Sequence, residues 1–241
     1  MNKLKTLIDK ATNIVALTGA GMSTESGLPD FRSIVGLYRT VTTAMTFSSW
    51  LFKLWPSHFY KVMGPFYKQL KEAKPNAGHI ALAELEKRGK KVQIITQNVD
   101  GLHQAAGSTT VHEIHGKLDT MTCRKCGKSH DTADFTEMLT RGKTPKCSSC
   151  GGVLKPDLVF FGDDLPEEPF RKAKLAMLDA DLVLVCGTSL KVSPANQLPS
   201  YRVEGTPLVI INHDPTPWDN AAKLVIHDSI GKVLSEAIAK N

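Results

Sequence analysis

The chain predicts an α/β fold built on a parallel, doubly wound sheet, and three observations carry that expectation. Short apolar runs rich in β-branched residues recur at Ile14–Leu17, Val92–Thr96, Val111–Ile114, Leu158–Phe161, Leu182–Cys186, Leu208–Ile211 and Leu224–Ile226. Stretches with helical spacing alternate with them. Polar or glycine-rich clusters follow nearly every run: Gly19–Arg32, Gln97–His103, His115-Gly116, Gly162–Asp164, Gly187–Ser189 and Asn212–Asp214. Functional loops gather at the carboxyl ends of parallel strands, so one crevice would collect these clusters.

The elements follow in order. Met1–Lys10 reads as an amphipathic helix, because Asp9 and Lys10 stand where the apolar core of an export signal would continue. With no run of about 18 apolar residues to cross a membrane, a cytoplasmic location is expected. Ile14–Leu17 feeds the glycine loop Gly19-Ala20-Gly21-Met22-Ser23-Thr24. A tight turn there would let backbone amides approach a phosphate, helped by the dipole of a helix behind them. Pro29 cuts that helix short. The aromatic-rich stretch Ser33–Ala73 shows scattered helical periodicity and reads as short capping helices. Pro75–His79 starts a helix carrying Ile80, Leu82, Ala83 and Leu85, which Gly89 closes. With 241 residues, 41% hydrophobic and 22% charged, the chain can bury a real core as one large domain or a large and a small one.

Several motifs carry chemistry. The glycine loop lacks the third glycine of the usual dinucleotide fingerprint, and Thr40–Leu51 holds no acid for a ribose hydroxyl. Alone it fits a tight strand–helix turn as well as a nucleotide site. Gln97-Asn98-Val99-Asp100 places two amides and a carboxylate at a strand end, suited to ribose hydroxyls and a nicotinamide amide, although Asn and Asp also form turns. His115, beside Gly116, can act as a base near neutral pH; His112, three residues earlier, should face the opposite way. Cys123-x2-Cys126-x20-Cys147-x2-Cys150 has the spacing of a closed, structural four-thiolate zinc site, with turn glycines at Gly127 and Gly151. Cys186 reads as a small hydrophobe in a buried strand. Between Lys117 and Lys155 stand eight basic residues against four acidic ones, which a solvated surface explains.

Taken together, Gly19–Arg32, Thr96–His103, His115-Gly116, the paired Cys-x2-Cys, Phe161-Gly162 and Gly187-Thr188-Ser189 resemble, in this order, the sirtuins, the NAD-dependent protein-lysine deacylases. The resemblance spans essentially the whole chain. It implies one catalytic unit: a Rossmann-like large domain from 1–30, 75–116 and 155–241, and a smaller helical and zinc-binding domain from two insertions, 31–74 and 117–154. It explains the missing ribose acid, since the family binds NAD in another orientation. Ala20, Thr24, Phe31 and Arg32 would line the cofactor loop. Gln97 and Asn98 would meet the ribose, and Val99 and Asp100 would form the nicotinamide pocket. Thr188, Ser189, Asn212 and Asp228 would hold the adenosine half. The acyl oxygen of the modified lysine would attack the anomeric carbon as nicotinamide leaves, with Phe31 excluding water. His115 would then take a ribose hydroxyl proton, and the products would be free lysine and O-acyl-ADP-ribose. The substrate backbone would add like a strand, with Val159, Phe161 and Gly162 on one side and Val192 on the other.

Two departures bear on specificity. Asp163 stands where the family often has Glu, which shortens the reach toward a peptide. The Tyr-x2-Arg pair of succinyl- and malonyl-preferring sirtuins is replaced by Tyr60 and Met63, so acetyl and longer apolar acyl groups are expected. The partners are then acylated-lysine proteins or peptides, with no membrane or nucleic acid. Protein mono-ADP-ribosyl transfer is the enzymatic alternative. A zinc-ribbon nucleic-acid binder is the other, but Phe135 is the single aromatic of Cys123–Cys150, leaving little for base stacking.

Overall fold

The structure, a computed structural model, describes residues 2–30 and 45–239. Its strands among these residues are β1 (Asn13–Thr18), β2 (Lys91–Thr96), β3 (Val111–Glu113), β4 (Gly116–Cys123), β5 (Ser129–Asp131), β6 (Leu154–Leu158), β7 (Leu182–Cys186), β8 (Leu208–Ile211) and β9 (Leu224–Ile226). The chain divides into two compact units, one of Met1–Ser26, Lys74–Ile114 and Pro166–Asn241, the other of Gly27–Ala73 and His115–Leu165.

The first unit is built on a six-stranded sheet in the order β3-β2-β1-β7-β8-β9, parallel at every pairing. Successive side chains of a strand point to opposite faces, and both faces are covered here. Ile14, Ala16, Leu182, Leu184, Cys186, Val209 and Ile211 pack on one face with Leu4, Ile8, Leu82, Leu85, Val233 and Leu234 from the helices Asn2–Lys10, Ala77–Lys87 and Ile230–Ile238. Val15, Leu17, Val183, Val185, Leu208 and Ile210 pack on the other with Ala173, Ala176 and Met177 of the helix Glu167–Asp179. Double coverage is why these strands read as unbroken apolar runs. The chain lays β2 and β3 on one side of β1, then β7 to β9 on the other, so the carboxyl ends of β1 and β7 lie side by side where the strand order reverses.

The second unit carries a three-stranded antiparallel sheet, β5-β4-β6. The apolar run expected as a strand at Leu158–Phe161 is therefore corrected. The strand lies earlier, at Leu154–Leu158, and belongs to this small sheet. Leu154, Pro156 and Leu158 alternate in burial with Lys155 and Asp157, and Pro156 is tolerated because β6 is an edge strand. The short capping helices are corrected too. Among the described residues of that stretch, Ser49–Leu54 is short, but Pro56–Glu72 is a single helix of 17 residues burying Phe59, Tyr60, Met63, Gly64, Phe66 and Tyr67. Pro56 sits in its first turn, where a missing amide costs nothing. Phe52, Phe59 and Phe160 pack edge-on or tilted with centroids 5.0–5.3 Å apart, and the buried Tyr60 hydroxyl donates to the Leu154 carbonyl at 2.6 Å. No helix of the described residues is long and apolar enough to cross a membrane.

Candidate functional site

At the carboxyl end of β1 the chain does not enter an α-helix. Two 3-10 turns, Ala20–Met22 and Thr24–Ser26, follow Gly19. Among the described residues of this loop the expected support from a helix dipole is absent, since a single 3-10 turn sums few peptide dipoles. The glycines answer a different demand. A Cβ on Gly19 would lie 2.7 Å from Thr188 Cβ, one on Gly21 2.8 Å from Gly187 Cα, and one on Gly187 2.2 Å from Met22 N. Two loops here run backbone against backbone. The Gly19 amide donates to the Cys186 carbonyl at 3.2 Å and the Gly21 amide to the Gly187 carbonyl at 2.8 Å. These two amides hold the loops together; they are not aimed at a phosphate.

Asn98 and Asp100 enter the same network from the end of β2. Asn98 is buried; its side-chain amide donates to the Gly19 carbonyl at 3.0 Å and to Ser23 Oγ at 3.1 Å. Ser23 donates in turn to one carboxylate oxygen of Asp100 at 2.7 Å, while the other accepts the Leu102 amide at 3.0 Å. The carboxylate is thereby oriented on both sides before any ligand arrives. Gln97 Nε2 donates to Thr188 Oγ1 at 2.9 Å, so Thr188, Gln97, Asn98 and Asp100 form one cluster with the glycine loop. Val99 and Ala20 are half-buried beside it in sequence, and Thr24 is exposed with its hydroxyl donating to the Gly21 carbonyl. Past Ser189, Leu190 holds φ +51, a left-handed backbone that a branched, buried side chain rarely adopts and that collects at functional loops.

Asn212 follows β8 and turns its side chain to the Asp214 carbonyl at 2.6 Å. Asp228 stands two residues before the last helix, Ile230–Ile238, paired with Lys232 at 2.8 Å, which holds its carboxyl below the usual range. Both side chains are thus engaged within their own segments. Phe31 and Arg32, expected on the same loop, lie outside the described residues. Four residues in and behind the cluster were not among the sequence candidates. Ser23 bridges Asn98 and Asp100 as above. Asn76 caps the helix Ala77–Lys87 and also donates to the Met22 carbonyl at 2.8 Å and Ser26 Oγ at 3.0 Å. Glu25 accepts from Ser229 Oγ at 3.0 Å and the Gly231 amide at 3.1 Å. His103 meets Thr18 Oγ1 at 3.0 Å. What singles these polar groups out is the distant partners they touch, and such contacts are a tertiary property.

In the second unit, His115 sits in a turn before β4, not on a strand. The alternation that set it opposite His112 therefore does not apply, because β3 ends at Glu113. Gly116, at φ +76, is required by contact: a Cβ there would lie 2.1 Å from the Asp157 carbonyl. The close approach lets β6 pair alongside, and the Val159 amide donates to the His115 carbonyl at 2.8 Å. Phe161 is half exposed, but its amide donates to the Phe47 carbonyl at 2.7 Å and its carbonyl accepts from Ser49 at 3.0 Å. Asp163 turns inward as well, accepting from the Phe160 amide at 3.1 Å and pairing with Lys155 at 3.0 Å. Its carboxylate fastens its own loop.

The four cysteines of the two Cys-x2-Cys pairs bring all their sulfurs within 4.8 Å of one another. Cys123 and Cys150 sulfurs are 3.5 Å apart, and Cys126 and Cys147 3.7 Å. A tetrahedron with zinc–sulfur bonds of about 2.3 Å has edges of about 3.8 Å, so the donor set fits zinc in number, softness and geometry. Gly127 and Gly151 hold φ +72 and +69 at the two turns, as the spacing predicted. Cys186 is fully buried in β7, and burial pushes its thiol up to about 12, an unreactive state.

A parallel sheet with its loops interlocked at the strand reversal, plus a second unit with a four-thiolate cluster, defines an α/β nucleotide-binding class of protein. Comparison places it further: a model of the Sir2 family matches residues 19–194, and the chain belongs to that family. It is 43% identical to an NAD-dependent protein deacetylase of Clostridium acetobutylicum, over 99% of this chain and 98% of that one. It is 42% identical to the NAD-dependent protein deacetylase of Bacillus subtilis, over 96% of each. Among solved structures, a Sir2 complex with p53 peptide and NAD+ superposes with TM-score 0.89 at 36% identity, covering 99% of this chain and 97% of that one.

Proposed function

We propose that this protein is an NAD-dependent protein-lysine deacetylase, releasing nicotinamide and O-acyl-ADP-ribose. The observation that carries the reading is the Asp100 carboxylate held by Ser23 and the Leu102 amide, at the strand reversal of a Sir2-family chain. Solved relatives agree in chemistry: one holds p53 peptide with NAD+, another deacetylated p53 peptide with 3′-O-acetyl ADP ribose.

NAD supplies, when bound, an anomeric carbon bearing nicotinamide as leaving group. The residues of the chain bind and orient. Asp100 and Val99 take the nicotinamide amide, a task for which a fixed acceptor is needed. Gln97 and Asn98 meet ribose hydroxyls, with Ala20 and Thr24 beside them and Phe31 and Arg32 on the continuing loop. Thr188, Ser189, Asn212 and Asp228 hold the adenosine half. His115 accepts a ribose hydroxyl proton on its imidazole, as a neutral histidine can near pH 7. The peptide backbone is met by Val159, Phe161 and Gly162, with Val192 in the same role. Because the Phe161 amide and carbonyl already serve its own unit, its contribution comes chiefly from its exposed ring. Cys123, Cys126, Cys147 and Cys150 hold one structural zinc ion, which with four thiolates keeps no open position for substrate. A cytoplasmic setting, where thiols stay reduced, suits that site.

The acyl group is acetyl or a longer apolar chain. Tyr60 is fully buried with its hydroxyl on the Leu154 carbonyl, and Met63 is buried too, so neither residue offers an acidic acyl group a cation. Mass spectrometry of an acetyl-lysine peptide tests the reading. Loss of acetyl only with NAD, matched by nicotinamide and O-acetyl-ADP-ribose, is expected. Consumption of NAD with the peptide unchanged refutes it. His115→Ala should still bind NAD and lose deacylation; full activity would remove His115 from the chemistry.

A further inference from the structure

Two fully buried histidines have no part in the chemistry above, yet they bond the neighbours of the two segments that orient Asp100. His79 and His103 are 0% and 1% exposed, with ring centroids 4.7 Å apart. His79 Nδ1 accepts from the Asn76 amide at 3.3 Å. An amide can only donate, so that nitrogen is unprotonated and the ring proton of neutral His79 sits on Nε2. His103 Nε2 meets Thr18 Oγ1 at 3.0 Å. The remaining nitrogens, His79 Nε2 and His103 Nδ1, are buried with no hydrogen-bond partner. Burying two unpartnered polar atoms is unfavourable, and a leucine at either place would avoid it.

The connections show what the rings do. Asn76, joined to His79, grips the Met22 carbonyl and Ser26 Oγ of the glycine loop. Thr18, joined to His103, is the last residue of β1 before Gly19. His103 itself lies on the helix Leu102–Ala106, whose first amide is held by Asp100. We propose that His79 and His103, both neutral, are positioning residues that hold the Asp100 carboxylate in register with the glycine loop and so set affinity for the nicotinamide end of NAD. The inference rests on the reading of this cluster as the NAD site.

Three substitutions at His103 test it. The side-chain amide nitrogen of glutamine falls where His Nε2 lies, whereas that of asparagine stops a bond short. His103→Gln should therefore keep the Thr18 bond, and His103→Asn and His103→Leu should lose it. We expect the leucine and asparagine variants to raise the NAD KM and the nicotinamide inhibition constant about fivefold to tenfold, with kcat changed less than about twofold. The glutamine variant should stay near wild type. Hydrogen exchange at the Leu102 amide, which reads the Asp100 contact without NAD, should quicken in the same two variants. An unchanged NAD KM and unchanged Leu102 exchange, with only the melting temperature lowered, would overturn the proposal in favour of a purely structural role. Equal impairment of all three variants would overturn it as well. A wild-type protein without NAD turnover would instead refute the assignment of the site, and the Leu102 exchange would still decide the positioning role.

Discussion

Gly187→Ala is the substitution that most directly tests how the two glycine loops are joined. The residue holds φ +64, and a Cβ there would stand 2.2 Å from Met22 N and 2.4 Å from Gly21 C. Ordinary contact begins near 3.4 Å, so both loops must part by about an ångström. The left-handed backbone alone costs alanine about 1–2 kcal/mol. Overpacking against main chain, which cannot swing aside as a side chain can, adds about 1–3 kcal/mol. Losing the bond from the Gly21 amide to the Gly187 carbonyl adds about 1 kcal/mol. The sum, about 3–6 kcal/mol, lowers the melting temperature by about 6–24 °C for a chain of this length. Gly205→Ala supplies the control, because Gly205 holds φ +88 with nothing within 4 Å of its added Cβ. It carries the backbone cost alone, about 1–2 kcal/mol and a correspondingly smaller shift. Thermal scans of both variants, with NAD titrated by calorimetry, make the comparison. Equal shifts would refute the argument, since contact between the loops would then contribute nothing.

Other outcomes follow from the same structure. Burial, and then the neighbouring His79, hold His103 down at about 3 against its ordinary 6.5, and His79 is lowered by burial although Asp100 and Glu25 pull it back up. Between those values the unfolded chain binds protons that the folded chain does not, so stability is complete above pH 6.5 and falls as pH drops toward 3, by at most about 1.4 kcal/mol per pH unit for each histidine. His103→Gln should flatten that slope in pH-dependent thermal scans; an unaltered slope would refute the assignment. Removing zinc with a chelator should release one ion per chain and speed hydrogen exchange across Cys123–Cys150, and unchanged exchange would show the metal holds nothing together. Tyr60→Phe leaves the buried Leu154 carbonyl without its donor, a loss of about 1–2 kcal/mol, while acetyl-lysine stays preferred over succinyl-lysine. A shift of that preference in peptide assays would mean the hydroxyl reads the acyl group after all.

What could be read from the sequence divides along a physical line. β1, β7 and β8 were legible because a strand buried on both faces must be apolar throughout, while β2 and the half-buried β9 kept enough apolar residues to show the same run. The cysteine cluster was legible because each Cys-x2-Cys turn is local and needs only a glycine to close. β6 was missed because Pro156 interrupts a run whose alternation, Leu154, Pro156, Leu158, suits an edge strand, while the stronger apolar signal of Val159–Phe161 belongs to an aromatic cluster and a bridge to Ser48. The Pro56–Glu72 helix was hidden by Gly64 and Pro65 inside it. Gly64 is there for the backbone of Gly142, 3.0 Å from where its Cβ would be. Within the site, Gln97, Asn98, Asp100 and Thr188 were recognisable as polar groups at strand ends. Ser23, Asn76 and His103 were not, because their importance lies in what they touch across scores of residues.

The grip of Glu25 on Ser229 and Gly231 joins positions more than two hundred residues apart in sequence. Protein synthesis delivers these partners in order, so the glycine loop leaves the ribosome long before the helix that steadies it. At about 5–20 residues per second, the loop waits some ten seconds or more for its last anchor. Gly187, just past β7, arrives almost as late. A nascent chain can therefore form the local zinc turns early, whereas its glycine loop gains this last anchor only once Gly231 has followed.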